Sequence, residues 1–222
     1  MTQALVFGVL IPSVILHEIS HGALALAFGD DTAQKAGRLT LNPIPHIDPV
    51  GTILLPAMMA LSGLGAFGWA RPVPVSPHRL RHPRNHGLLV SLVGPAVNIT
   101  LALIAAVILR FLRPEDTALL VQLQIQGVNL GAAAPSIFDQ IVFFVGFVNV
   151  ILAAFNLIPL PPLDGSAVIE RFMPRRWFEP WLKLRRYSMG LLLIIMLLSY
   201  RFNFLARFVF APAIDLWTGL LS

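Results

Sequence analysis

The sequence predicts an all-α, polytopic membrane protein with about five to six transmembrane segments. Of its 222 residues, 56% are apolar and only 12% are charged, and the mean hydropathy is +0.76. A soluble domain carries roughly twice that share of Asp, Glu, Lys and Arg, so we expect lipid to be the solvent for much of the surface. Apolar runs long enough to cross a bilayer as helices recur along the chain, and we expect them to form a single integral-membrane domain over residues 1–222.

Four apolar segments have nearly the length of a membrane-crossing helix, which is about 20 residues. They run approximately over residues 3–28, 50–68, 87–112 and 137–156. A fifth apolar run follows Tyr187. The C-terminal stretch APAIDLWTGLLS is short, so it is consistent with a sixth short span, a re-entrant piece or an interfacial helix.

Two connecting segments have distinctive patterns. In GRLTLNPIPHIDPVGT, residues 37–52, leucines alternate with polar residues before three prolines interrupt the chain. This pattern predicts a short strand or hairpin between spans one and two, followed by a rigid turn. After span four, Pro159, Pro161 and Pro162 cannot continue a helix, so we expect an unwound, proline-rich segment that is buried in protein or lines a cavity.

The basic residues fall into two clusters. One lies at Arg71, Arg79, Arg81 and Arg84, and the other at Arg171, Arg175, Arg176, Lys183, Arg185 and Arg186. Because cytoplasmic loops near span ends are enriched in Lys and Arg, the predicted topology places both clusters in the cytoplasm and gives the N-terminus a cytoplasmic location in a multi-pass cell-membrane protein. Clusters of this kind fit membrane lipids as partners and give no indication of nucleic acid binding.

Three ionisable residues interrupt the first predicted span, at His17, Glu18 and His21. Burial of such groups among lipid is costly unless they are compensated. Imidazoles four residues apart lie on one helix face and can share a metal ion, while Glu18 is placed to act as general base toward water on that ion. The chain has no cysteine, so any metal must be held by nitrogen and oxygen, which zinc accepts. A lone H-E-x-x-H also arises by chance, but the membrane context favours a metal site.

A third ligand is expected from FNLIPLPPLDGSAV, residues 155–168. Asp164 can approach the two histidines only if this segment dips back into the bundle. A simple Asp-Gly turn between two helices is the alternative interpretation. Other candidates are less favoured: His46 and Asp48 are predicted to be structural turn residues. The remaining histidines, spaced by four, are predicted to be solvated rather than to form a second metal site; they are His78, His82 and His86.

Five motifs occur in order along the chain: HEISH, LNPIPHIDPVGTILLP, FGWARPVPV, SLVGPAVN and NLIPLPPLDG. Together they make it resemble the site-2 protease family of intramembrane zinc metalloproteases, in the compact form without a PDZ or CBS domain. The resemblance covers about residues 8–175. It implies cleavage of transmembrane-helix substrates within the bilayer, one Zn²⁺ per chain and a catalytic core over about residues 3–170.

The resemblance also implies roles for single residues. His17, His21 and Asp164 match the family's zinc ligands, and Glu18 matches its catalytic base. Ser20 stands where many relatives have glycine, a change that removes no catalytic atom.

Two asparagines and one loop carry implied roles toward the substrate. Asn156 matches a residue that holds or orients the substrate backbone. Asn98, in the pattern G-P-x-x-N, matches a residue with either a substrate contact or a helix-packing hydrogen bond. Residues 37–43 are implied to form a strand edge that pairs with an unwound substrate.

A rival function class is a non-enzymatic metal-binding membrane protein, either a transporter or a scaffold for transmembrane helices. A transporter is expected to place ionisable residues along a path through several spans. Predicted spans 50–68 and 87–112 and the run after Tyr187 are nearly free of them. The sequence therefore favours one fixed site and a zinc-dependent metalloendopeptidase.

Overall fold

A computed structural model describes residues 2–61, 68–112, 117, 120 and 135–221, and these residues form helices joined by turns. The helices are α1 (Thr2–Ala27), α2 (Thr32–Lys35), α3 (Leu55–Leu61), α4 (Pro83–Val107), α5 (Ile137–Asn156), α6 (Ser166–Phe172), α7 (Arg175–Arg186), α8 (Ser188–Phe202) and α9 (Ala211–Leu221). A π-helical turn, Ile108–Leu112, continues α4. The predicted all-α class agrees with every described element.

Helices α1, α4 and α5 pack against one another and form the centre of the fold. Each is long and apolar enough to cross a membrane, which agrees with the predicted spans over 3–28, 87–112 and 137–156. In lipid, helices associate through close packing because apolar burial gives little advantage. Gly146 of α5 is an example: a Cβ placed there would lie 1.9 Å from the ring of Trp217, so the indole of α9 packs directly on the backbone.

The predicted second span does not have the connectivity of a crossing helix. The amide of Trp69 donates to the carbonyl of Gly51 at 3.1 Å, and Thr52 Oγ1 donates to the Trp69 carbonyl at 2.8 Å. A crossing would separate these ends by about 30 Å, so the segment leaves and returns on the same side of the bundle. Its described part comprises a π-helical turn, Pro49–Leu54, and α3; residues 62–67 lie outside the described residues.

The loops on either side of this segment therefore lie together. The amide of Arg71 donates to the His46 carbonyl at 2.8 Å, and the amide of Ser76 donates to Asp30 Oδ2 at 2.5 Å. The prediction had placed these loops on opposite sides of the membrane, because hydropathy measures how apolar a segment is and not whether it crosses. The predicted cytoplasmic N-terminus depended on that separation.

The predicted strand or hairpin is not confirmed, since residues 39–41 form bends and no strand occurs in the part of the chain that the structure describes. The neighbouring extended segment explains this outcome. It contains Pro72 and Pro74, which have no N–H to offer a β-ladder. Contact is made instead by the buried Arg38 side chain, whose Nη2 donates to the Arg71 carbonyl at 2.5 Å.

The chain after α5 turns over residues 157–165, as expected for the proline-rich segment. Near the C-terminus, Ser188–Phe202 and Ala206–Leu221 are bent by 88° with respect to each other. Asn203 at the break has φ +55°, a left-handed conformation that asparagine tolerates better than most residues. By length and composition the described residues hold three spanning helices, or four if this pair is one span, so the predicted count of five to six is not confirmed.

Candidate metal centre

The structure brings His17, His21 and Asp164 together, with one ligand atom of each within 4.8 Å of the others. The two Nε2 atoms lie 3.1 Å and 3.4 Å from Asp164 Oδ2. Both histidines are buried, at 5% and 8% exposure. Among the described residues no other group of three His, Asp or Glu side chains converges in this way.

Asp164 reaches the histidines because the turn after α5 folds back on the helix end. The amide of Gly165 donates to the carbonyl of Asn156 at 2.7 Å, which closes the loop that carries Asp164. A Cβ at position 165 would lie 2.2 Å from the Leu157 carbonyl oxygen, so this close approach requires glycine. The Asp-Gly turn that was weighed against a ligand role is therefore present, and it also brings Asp164 to the two histidines.

The tautomer of His21 follows from its hydrogen bond to α4. Its Nδ1 lies 2.6 Å from the backbone carbonyl oxygen of Val90. A carbonyl can only accept, so Nδ1 carries the proton of the neutral ring. The lone pair is then on Nε2, which faces Asp164.

The tautomer of His17 is determined by a chain of amides across three helices. His17 Nδ1 contacts Asn98 Oδ1 at 2.5 Å, and Asn98 Nδ2 donates to Asn149 Oδ1 at 2.6 Å. Asn149 Nδ2 in turn donates to the Val145 carbonyl at 2.8 Å and to Ser13 Oγ at 2.9 Å. Because the Val145 carbonyl can only accept, the direction of every donor in the chain is fixed. His17 Nδ1 must donate to Asn98, so its lone pair is also on Nε2.

The donor set fits a divalent cation. Two imidazole lone pairs and a carboxylate oxygen converge, and Asp164 Oδ2 is buried without a hydrogen-bond donor of its own. Such a cluster of acceptors is repulsive unless a positive charge lies among them. Zinc binds imidazole nitrogen and carboxylate oxygen in this combination and keeps a fourth position open in catalytic sites.

Gly94 of α4 provides the space in which both rings pack. A Cβ at this position would lie 2.5 Å from His21 Nε2 and 2.6 Å from His17 Cε1. In the sequence, Gly94 is part of the motif SLVGPAVN, but sequence reasoning assigned it no role.

Glu18 lies beside the ligand group without being part of it. Its Oε2 accepts a hydrogen bond from the amide of Val73 at 2.8 Å. Val73 stands between Pro72 and Pro74, so it is the one residue of that triplet with an N–H to donate. The extended segment over residues 69–76 thus holds the half-buried carboxylate, a contact that sequence reasoning missed.

The two predicted substrate residues have different environments. Asn98 is fully buried, and its amide is engaged by His17 and Asn149 within the bundle. Asn156 is half-buried at the end of α5, where its side chain donates to the Leu152 carbonyl at 3.0 Å. It stands at the base of the turn that carries Asp164. A contact of either side chain with substrate stays a prediction.

Asn149 and Ser13 are further residues that sequence reasoning missed. Each is a polar residue between apolar neighbours in a predicted span, a signal that marks helix–helix hydrogen bonding.

The other histidines and Asp48 make local contacts. His46 Nε2 bonds the Thr40 carbonyl oxygen at 3.0 Å, and Asp48 Oδ1 accepts from the amides of Val50 and Gly51 at 3.0 Å and 2.7 Å. These bonds agree with the structural roles predicted for both residues. In the basic loop, the rings of His82 and His86 pack edge to face, and His86 stacks on Phe28.

A buried metal-binding group inside a bundle of apolar helices defines the class of protein as a membrane-embedded metalloprotein. Residues 4–198 match the model of peptidase family M50. The chain is 44% identical over 165 residues to a Bacillus subtilis protein named "Putative zinc metalloprotease YwhC". This match covers 74% of the present chain and 67% of the Bacillus protein. The chain therefore belongs to peptidase family M50, the zinc metalloprotease family to which its motifs pointed.

Two mycobacterial relatives, each named "Putative zinc metalloprotease Rip2", are more distant. The one from Mycolicibacterium smegmatis is 32% identical over 160 residues, and the match covers 53% of its length. The one from Mycobacterium tuberculosis is 29% identical over 193 residues, covering 63% of its length. The match thus spans between about half and two thirds of the relatives' own chains. No solved structure matches.

The packing of both imidazoles on Gly94 gives a first prediction. Gly94→Ala is expected to push the rings apart and weaken zinc binding by at least about tenfold, the lower limit for disturbed ligand orientation. Competition with a chromophoric chelator measures the affinity. Gly87→Ala is the matched control, because it adds the same methyl group to α4 where nothing lies within 4 Å. Equal zinc affinities for the two variants would contradict the packing argument.

The amide chain gives a second prediction. Asn98→Leu leaves His17 Nδ1 without an acceptor and is expected to weaken zinc binding by about 10–100-fold. Asn98→Asp keeps an acceptor oxygen, so this variant should retain more of the zinc affinity than Asn98→Leu. The same chelator competition ranks the variants. Thr100→Val is the control on α4, since Thr100 Oγ1 donates only to its own helix at Ala96. If the Asn98→Leu and Asn98→Asp variants bind zinc equally well, Asn98 does not orient the His17 ring.

Proposed function

We propose that the protein is an intramembrane zinc metalloprotease that hydrolyses peptide bonds in or near the transmembrane helices of membrane-protein substrates. The observation that carries this proposal is the convergence of the buried His17 and His21 with Asp164, with Glu18 next to the first of them in sequence. Membership of peptidase family M50 supports the reaction class. One Zn²⁺ per chain is the proposed cofactor.

The proposed orientation reverses the one predicted from sequence. Because the segment between Gly51 and Trp69 returns to its starting side, the loops between α1 and α4 and the segment between α5 and α8 share one side of the bundle. Eleven of the sixteen Lys and Arg residues fall in these two regions. The positive-inside rule then places this side in the cytoplasm and the Thr2 end of α1 on the opposite side.

This orientation places the site near the cytoplasmic end of its helix. His21 is six residues before the end of α1 at Ala27, which corresponds to about 9 Å of helix. Water from the cytoplasm therefore has a short route to the site. A hydrolase needs such a route, whereas a site at mid-membrane would lack one.

The chain's residues divide the chemistry among them. Zinc in a site of this kind polarises a carbonyl and lowers the pKa of water that it binds toward about 7. The Glu18 carboxylate takes a proton from the attacking water and delivers it to the nitrogen of the departing amine. The Val73 amide, which donates to Glu18 Oε2, holds this carboxylate in place. His17 and His21 are oriented by acceptors on α4, so their Nε2 atoms need no rearrangement to bind the metal.

The substrate must present an accessible carbonyl, and helical carbonyls are shielded by their own hydrogen bonds. We therefore propose that the substrate helix unwinds before cleavage. Asn156, beside the turn that carries Asp164, is proposed to hold the unwound backbone, while the buried Asn98 serves the zinc ligand. Exposed apolar side chains in the loop after α2, at Leu41 and Ile44, are proposed as a surface for the unwound segment.

The proposal predicts the effect of neutralising the base. Glu18→Gln is expected to retain zinc, because Glu18 is not in the ligand group, and to lower cleavage by at least about 10²-fold, the usual contribution of general-base catalysis. Cleavage of a panel of single-pass membrane proteins, with zinc content measured on the same samples, checks both parts. Glu179→Gln, which removes an exposed carboxylate on α7, is the matched control.

Two outcomes would contradict the proposal. Undiminished cleavage by Glu18→Gln would exclude the assigned base. Zinc flux across liposomes that carry the protein, equal for wild type and Glu18→Gln and without cleavage of any substrate, would indicate the transporter instead.

A further inference from the structure

Helices α6 and α7, which follow the turn that carries Asp164, form an open apolar groove on the surface. Its volume is about 740 Å³, comparable with pockets that enclose drug-sized ligands, about 300–1,000 Å³. The residues on its two walls include Val168, Ile169, Phe172, Trp177, Trp181 and Leu184. Phe172 is 75% exposed and Trp177 is 56% exposed, so the groove offers a large apolar surface.

Helix α7 divides its residues between two faces. Trp177, Trp181 and Leu184 are spaced four and three residues apart, so they share one face, which lines the groove. Arg176 and Lys183 directly precede Trp177 and Leu184, so they lie about 100° around the helix, on the flank of this face. The whole helix carries five basic residues and one acidic residue. An apolar face bordered by cations is typical of a helix that lies in a membrane interface.

Glu170 of α6 connects the two walls of the groove. Its Oε1 accepts from Trp181 Nε1 at 2.8 Å and lies 3.2 Å from Arg185 Nη1. Because Glu170 holds both residues of α7, the groove has a defined shape. The chain's path places it at one face of the membrane, between the end of spanning helix α5 and the start of α8.

We propose that this groove is a binding site for an anionic phospholipid. An acyl chain occupies the apolar channel between α6 and α7, and the phosphate is bound by the basic residues of α7. A second copy of this protein is a poor occupant of the groove, because pairing the same surface of two copies would place two cationic α7 helices against each other. An apolar peptide segment would leave the cations unpaired. This proposal does not depend on the proposed protease activity.

Tryptophan quenching by brominated lipid tests the site in the intact protein. Nanodiscs contain equal amounts of phosphatidylcholine and phosphatidylglycerol, with bromine on the acyl chains of one lipid or of the other. Quenching by brominated phosphatidylglycerol is expected to exceed that by brominated phosphatidylcholine by about twofold. Trp177→Phe should reduce this excess, because it removes a reporter from the groove.

Two matched double variants test the role of the cations. Arg176→Gln with Lys183→Gln is expected to abolish the excess, while Arg81→Gln with Arg84→Gln, an equal loss of charge around the start of α4, should preserve it. Equal quenching by the two lipids in the wild type would overturn the proposal without reference to any variant. An excess that survives the α7 substitutions, or one that Trp177→Phe leaves unchanged, would also overturn it.

Discussion

The meeting of Asp164 with His17 and His21 is the constraint on which the rest of the structure depends. Two imidazole lone pairs and a carboxylate oxygen lie within 4.8 Å of one another in a bundle of apolar helices. This arrangement is unfavourable without a cation, because buried acceptors repel one another. With a divalent cation, the same arrangement becomes a cross-link between α1 and the turn after α5. A metal bound at this centre would therefore link two of the helices that form the core of the fold.

The surroundings of the ligands serve this arrangement in three ways. A backbone carbonyl at Val90 and the amide chain from Asn98 fix the direction of both rings. Glycine at position 94 leaves them space, and glycine at position 165 allows the turn to reach them. In metal sites generally, residues around the ligands hold the ligand side chains in the orientation that binding needs. Here those residues come from α4, α5 and the turn after α5.

The sequence predicts some of this architecture and not the rest. The three central helices follow from apolar length alone, and the H-E-x-x-H spacing with the Asp-Gly turn predicts the three side chains that the structure brings together as a candidate ligand group. The return of the chain between Gly51 and Trp69 could not be predicted, because hydropathy does not distinguish a crossing segment from one that returns. The expected strand over residues 37–43 was not formed, since prolines remove the donors that a partner would need. Asn149 had a detectable signal, a polar residue between apolar neighbours in a predicted span, whereas the space requirement at Gly94 becomes apparent only when the helices are packed.

Zinc K-edge X-ray absorption of the purified protein tests the central claim most directly. The account predicts two imidazole ligands and oxygen scatterers at about 2.0–2.2 Å, and it predicts that Asp164→Ala removes one oxygen or the metal itself. A first shell without imidazole, or a spectrum and zinc content unchanged by Asp164→Ala, would contradict it.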